Sequence, residues 1–386
     1  MSRRKTVEGI PLPDLPVSVT HHEAASLSSS AHHHAHTAAE RTGQSQSRFR
    51  LRLAAEVWRA LQYVGICVHF CASPRPPSPS FTRIVPSVIA REVGHFEMQF
   101  YTPSGYECAE AAAAGEEGPG RAATRPFPVV VNFHGGGFTL GSGTDDARFA
   151  RYVVDRCGAV FVSVDYRLAP EYPFPTAVED GADALYYIIR NAAELRIDPR
   201  RIATSGFSAG GNLAITCPLR LHTFLRDDAE ATEVPHHKVV AVAAWYPVTN
   251  YTLTRSERRS RARRPDQTLP PFLTNLFDAA YLYPPDLDLS DPCLSPSMAP
   301  DQLLKDGLPD DVIIYTCEWD MLLEEAEDFA CRLAAEPINK RVQYRMIDEV
   351  PHGWDKGPSL FCPPGRSEEV YVDCCDRLRG VFEASG

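Results

Sequence analysis

Ser208 lies in Gly206-Phe207-Ser208-Ala209-Gly210, between an apolar run at 202–205 and a helical pattern that begins near Gly211. A serine on a sharp strand-to-helix turn has a strained backbone, and small neighbours leave room for the close packing that the turn requires. The hydroxyl is then pushed out at the carboxyl end of a sheet, over a helix N-terminus whose free N–H groups favour developing negative charge. That is the setting of a nucleophile. His134-Gly135-Gly136-Gly137-Phe138 follows a second apolar run at 129–133. A glycine run lets bare backbone N–H groups approach a substrate oxygen, so Gly135 and Gly136, together with Ala209, are the expected donors to a tetrahedral oxyanion. The glycine run alone would read as a tight strand-exit turn; beside a nucleophile turn it points to acyl transfer.

A third motif, Asp165-Tyr166-Arg167-Leu168-Ala169-Pro170-Glu171 with Pro173-Phe174-Pro175, completes a set in fixed order. Over roughly residues 90–385 the chain resembles the hormone-sensitive-lipase-like branch of the α/β-hydrolase superfamily, which includes carboxylesterases and arylacetamide deacetylases. The resemblance implies an α/β-hydrolase fold with a cap, and ester hydrolysis. The superfamily order is Ser, then Asp or Glu, then His. Asp320, in Cys317-Glu318-Trp319-Asp320-Met321-Leu322, matches the branch's Asp-x-Leu stretch, with Glu318 as the local competitor and Glu324 and Glu325 on the following helix. His352, in Val350-Pro351-His352-Gly353-Trp354, supplies the base from a loop after the last strand. The branch has Phe where this chain has Trp354, a larger neighbour that would narrow the pocket. In such a triad His352 takes the Ser208 proton during attack on an acyl carbonyl, Asp320 fixes the imidazole, and water hydrolyses the acyl-enzyme.

Asp165 and Arg167 are expected to form a charge-assisted anchor behind the glycine loop. The candidate pocket residues are Phe138, Trp245, Phe272, Phe277 and Trp354; Tyr251, Tyr281 and Tyr283, with Trp58 and Tyr63, would cover the same apolar space, several of them as cap core. A small-molecule ester of short to medium acyl chain is the expected substrate, with no cofactor and no metal. The alternatives are a specialised deacetylase or amidase of secondary metabolism, and a non-catalytic ligand receptor on the same fold.

The elements that must position these residues form a regular alternation. Strand-length apolar runs fall at 96–101, 129–133, 160–165, 202–206, 239–245, 312–316 and 342–347, mostly continuous and β-branched, as in parallel strands covered on both faces. Helical stretches fit between them near 145–156, 176–194, 210–224, 322–335 and 367–384. The fold class is therefore α/β: a mostly parallel central sheet with helices on both faces. An excess of about 60 residues between 245 and 312 is too long for a simple connection, and a cap insertion near 253–285 accounts for it. Residues 1–48 form a low-complexity tail, 49–92 an N-terminal cap helix and linker, and 93–386 the main domain. In the helix, apolar residues recur at Leu53, Val57, Leu61, Val64 and Val68, a face expected to dock on the rest of the protein. Residues 109–124 read as a flexible loop.

Composition excludes several classes. The 386 residues hold 39 Lys+Arg against 50 Asp+Glu, a net charge of −11, which argues against nucleic acid as a partner. Eleven cysteines without a C-x-x-C pair give neither a zinc ribbon nor a disulfide framework, and reduced, intracellular thiols are expected. Pro11, Pro13 and Pro16 interrupt the stretch where a signal peptide would be apolar, so a cytoplasmic location is expected. Residues 51–71 carry Arg52, Glu56, Arg59 and His69 and do not make a membrane span. His32-His33-His34-Ala35-His36 reads as compositional drift rather than a metal site. The six arginines of 255–264 read as a solvated cap loop. Oligomeric state is not legible.

Overall fold

The computed structural model describes residues 47–71, 75–106, 125–228, 234–356 and 365–386. The histidine-rich stretch and the loop expected at 109–124 lie outside them. Eight strands form one sheet: β1 (Phe81–Pro86), β2 (His95–Tyr101), β3 (Phe127–Phe133), β4 (Val160–Asp165), β5 (Ile197–Phe207), β6 (Val239–Trp245), β7 (Asp311–Cys317) and β8 (Arg341–Ile347), in the order β1-β2-β4-β3-β5-β6-β7-β8. β1 and β2 run antiparallel to their neighbours, and every pairing from β4 to β8 is parallel. Parallel strands need both faces covered, and the burial of β3, β6 and β7 is correspondingly near-continuous.

The helices are α1 (Arg48–Cys71), α2 (Ala147–Tyr152), α3 (Thr176–Arg190), α4 (Ala209–Asp227), α5 (Arg255–Arg261), α6 (Pro271–Tyr281), α7 (Asp301–Gly307), α8 (Leu323–Ala334) and α9 (Arg366–Ala384). Two apolar clusters divide the core. One joins α3, α4, α7 and α8 to one face of the sheet; the other packs α2 and α9 on the opposite face.

Three expectations are corrected. β1 lies inside the stretch read as linker: at the sheet edge its residues alternate between exposure and burial, the latter complete only at Val85, and no continuous apolar run marks them. The Asp165–Arg167 anchor does not form. Arg167 instead grips Asp180 of α3, with its Nη2 2.7 Å and its Nε 3.0 Å from the carboxylate, while Asp165 accepts from the Gly143 N–H. The Leu53, Val57, Leu61 and Val64 face of α1 does not dock; these side chains are exposed, and Leu51 and Ala55 are the buried ones. The Val68 side chain lies outside the described residues.

Candidate active site

Ser208 caps α4 with φ 57° and ψ −114°, a region that side-chain-bearing residues avoid, and its N–H donates to the Trp245 carbonyl at 2.8 Å. The turn closes only because Gly206 and Gly210 lack side chains: a β-carbon at Gly210 would stand 1.9 Å from the Phe133 carbonyl oxygen. β3, next to β5 in the sheet, delivers the glycine run to the same place. A β-carbon at Gly135 would lie 3.0 Å from the Phe207 carbonyl oxygen and 3.6 Å from the Ser208 Cβ, so the backbone of this loop abuts the serine turn. Gly136 and Gly137 have positive φ, and the Phe277 ring of α6 occupies the space where a Gly137 side chain would begin.

Asp320 leaves the end of β7 and His352 the end of β8, so the sheet's parallel order brings three distant chain segments to its carboxyl edge. His352 Nε2 lies 2.7 Å from Ser208 Oγ, and His352 Nδ1 lies 2.5 Å from Asp320 Oδ2. The Leu322 N–H donates to the other Asp320 oxygen at 3.0 Å, and the carboxylate is only 2% exposed. Glu318 faces outward, accepting from Arg263 and from the Glu349 N–H.

Beneath the imidazole is a buried polar network that sequence reasoning missed. The Tyr246 ring meets His352 edge-on at 4.9 Å, and its hydroxyl donates to Asp355 at 2.6 Å; the Tyr371 hydroxyl donates to the other Asp355 oxygen at 2.5 Å. Lys356 Nζ lies 2.7 Å from Asp146 and 3.2 Å from Asp355. Burial alone would raise the Asp355 pKa, yet Lys356 and the two tyrosines hold it below the usual carboxylate range. Burial would likewise lower Lys356, and Asp146 and Asp355 outweigh it and raise it. Both thus stay charged, pinning the loop that carries His352. The one sequence clue was position, Asp355-Lys356 directly after His352-Gly353-Trp354.

Of the five candidate pocket residues, Phe277 lies against the glycine loop and Phe272 is exposed, stacked on Trp58 at 5.4 Å. Phe138, Trp245 and Trp354 are corrections. Phe138 is fully buried and stacked on Tyr281 at 3.8 Å; Trp245 is sandwiched between Phe207 and Tyr315; Trp354 belongs to the core beneath α9. In each case the local backbone, the end of β6 for Trp245 and a turn for the other two, aims the ring into the core. Tyr251 and Tyr281 are buried too. No group of three or more potential metal ligands occurs among the described residues.

A family model described as the α/β-hydrolase fold matches residues 130–356, more than half of the chain. The chain belongs to this family. Within the α/β-hydrolases it is 37% identical over 230 residues to a carboxylesterase of Mycobacterium tuberculosis, an alignment covering 59% of this chain and 66% of that protein. It is 34% identical over 256 residues to an arylesterase of Saccharolobus solfataricus, covering 66% and 75% of the two chains. A 98-residue stretch is 40% identical to human hormone-sensitive lipase, covering 25% of this chain and 9% of that protein, in keeping with the hormone-sensitive-lipase-like branch. Among solved structures, an esterase of Pyrobaculum calidifontis superposes with a TM-score of 0.66 at 25% identity, over 91% of this chain and 97% of the other. The chain thus spans about two thirds of the length of the first of these curated relatives.

Proposed function

We propose that this α/β-hydrolase is a serine carboxylesterase that cleaves esters of short to medium acyl chain through Ser208, His352 and Asp320. The observation that carries this reading is the continuous line from Ser208 Oγ to His352 at 2.7 Å and from His352 to Asp320 at 2.5 Å. The relatives' ester-hydrolysing names support the class of reaction.

The steps follow from these positions. His352 Nε2 accepts the Ser208 proton as Oγ attacks the acyl carbon, and the buried Asp320 carboxylate keeps the other ring nitrogen protonated and offsets the imidazolium charge. The carbonyl oxygen becomes an oxyanion on the side where Gly135 abuts Ser208; the N–H groups of Gly135, Gly136 and Ala209 are its proposed donors. The imidazolium then protonates the leaving alcohol. Water enters, gives its proton to His352, and attacks the acyl-enzyme, which releases the acid and restores Ser208. No step draws on a cofactor. Phe277, against Gly137, limits the space on the acyl side, which supports the preference for shorter chains.

A fluorophosphonate probe and a series of p-nitrophenyl esters from acetate to palmitate test the proposal. Wild-type protein is expected to label and to turn over acetate to octanoate best. Ser208→Ala is expected to lose labelling and on the order of 10⁶-fold in turnover with its melting temperature retained. Labelling of Ser208→Ala, or near wild-type turnover by it, would overturn the assignment. An unreactive wild-type chain would instead favour the receptor reading.

A further inference from the structure

Phe49, Leu53, Val57, Leu61 and Val64 form a stripe along α1, each between 53% and 74% exposed. The opposite side of α1 is held to the protein largely by polar groups: Arg48 donates to the Pro170 and Ala280 carbonyls, Arg59 to the Thr139 and Ala169 carbonyls, and Gln62 to Asp145 at 2.9 Å. The usual amphipathic arrangement is inverted, with charged groups inward and apolar groups outward. Five large apolar side chains at i, i+4 and i, i+3 spacing make a continuous ridge, and a helix face meant only for water has no reason to carry one.

Charge indicates what covers it. Arg50 is exposed at the amino end of the helix; Arg52, also exposed, pairs with Glu171 at 3.8 Å, and the single acid of the helix, Glu56, is engaged by Arg59 at 2.6 Å. With four arginines against one acid, α1 is itself positive on a chain whose net charge is −11. An anionic lipid surface offers both an apolar layer for the stripe and negative headgroups for the arginines. No helix among the described residues is long and apolar enough to cross a membrane, so α1 would lie along the surface.

We propose that α1 docks the protein on anionic bilayers, its Phe49-to-Val64 stripe among the acyl chains and Arg50 and Arg52 at the headgroups. The docked helix adjoins the proposed reaction centre through its other side: Trp58 stacks on Phe272 of α6, and Arg59 holds the turn that leaves the glycine loop. Docking does not depend on the activity proposed above. The test is cosedimentation of the full chain with phosphatidylcholine vesicles with and without phosphatidylserine, while hydrolysis of p-nitrophenyl acetate is followed in parallel.

Wild-type protein is expected to bind the phosphatidylserine vesicles, at least about tenfold more weakly when the anionic lipid is omitted or the salt is raised. Leu53→Ser/Val57→Ser/Leu61→Ser is expected to abolish binding with melting temperature and soluble-ester hydrolysis unchanged. Arg50→Glu, a milder change, is expected to remove the preference for anionic vesicles. The proposal is overturned if wild-type protein stays in the supernatant, if the triple variant or Arg50→Glu binds like wild type, or if light scattering finds a dimer that the triple variant dissolves. A protein that binds vesicles but hydrolyses no ester would overturn the proposed function and leave the docking intact.

Discussion

Asp320 and Glu318 stand two residues apart on the loop leaving β7, and their surroundings separate them. Asp320 is buried against His352, whereas Glu318 braces the next loop through Arg263 and the Glu349 N–H. Asp320→Asn should retain the fold and lower kcat about 10⁴-fold, because an amide both favours the wrong imidazole tautomer and fails to offset the imidazolium. Glu318→Gln should stay within a few-fold of wild type. Equal losses in the two variants, measured on p-nitrophenyl acetate, would refute the choice of Asp320. Ser208 and the glycine run were legible because tight backbone approach admits only small residues and so leaves a trace in the sequence. Asp355 and Lys356 left only their position after His352-Gly353-Trp354, and Tyr246 left none: their roles arise only when β6, β8 and α9 meet. The aromatic residues Phe138, Trp245 and Trp354 were misplaced for a related reason, since residue type fixes size and not the side of the turn on which the ring leaves.

At the scale of elements, the arginine run of 255–264 divides in two. Arg261, Arg263 and Arg264 are about half-exposed, as a solvated loop requires. Arg255, Arg258 and Arg259 point inward: Arg255 pairs with Asp278 of α6 at 2.7 Å, Arg258 lies 2.6 Å from Glu325 of α8 with both side chains 2% exposed, and Arg259 donates to the Thr274 hydroxyl at 2.6 Å and to the Leu269 carbonyl. The Arg258–Glu325 contact is an ion pair off the line of a hydrogen bond; the other Glu325 oxygen accepts from the Thr249 and Asn250 N–H groups. Together the two pairs clasp α5 to the body of the protein. Arg258→Met would leave a buried carboxylate without its partner and should cost about 3–5 kcal/mol of stability, with most of it regained in Arg258→Met/Glu325→Leu. Thermal melts of the three proteins check this; a wild-type melt for Arg258→Met would show that the pair does not hold α5. Periodicity placed the central strands within a residue or two, apart from β5, which extends back to Ile197, because a doubly covered strand must be apolar throughout. It could not distinguish which face of α1 docks. Both faces of that helix carry apolar side chains, and the docking face was decided by polar contacts that hydrophobic spacing ignores.

Across the whole molecule, α1 meets the loops around the reaction centre through Arg59, with Gln62 beside it accepting from the Gly141 N–H at 2.9 Å. The Arg59 guanidinium donates to the Thr139 carbonyl at 3.0 Å, to the Ala169 carbonyl at 2.8 Å and to Glu171 at 3.0 Å. Thr139 is two residues beyond Gly137, and Ala169 opens the turn between β4 and α3, whose N–H in turn donates to the Phe138 carbonyl at 2.8 Å. Arg59 therefore ties α1, the exit of the glycine loop and the β4–α3 turn into one unit. Arg59→Ala removes these three bonds and the one to Glu56, but its side chain is 22% exposed and water can reach the abandoned acceptors. The stability loss should accordingly be modest, about 1–3 kcal/mol, seen as a melting shift of a few degrees in a chain of this size. Activity should suffer more. Oxyanion donors act only when held near the position of the developing charge, and a displacement of about 1 Å can cost about 10²-fold, so kcat should fall about tenfold or more with KM little changed. Measuring kcat and KM on p-nitrophenyl acetate beside the melt separates the two effects. A lowered melt with unaltered kcat would make Arg59 a clasp for α1 alone, without influence on the geometry of Gly135 and Gly136.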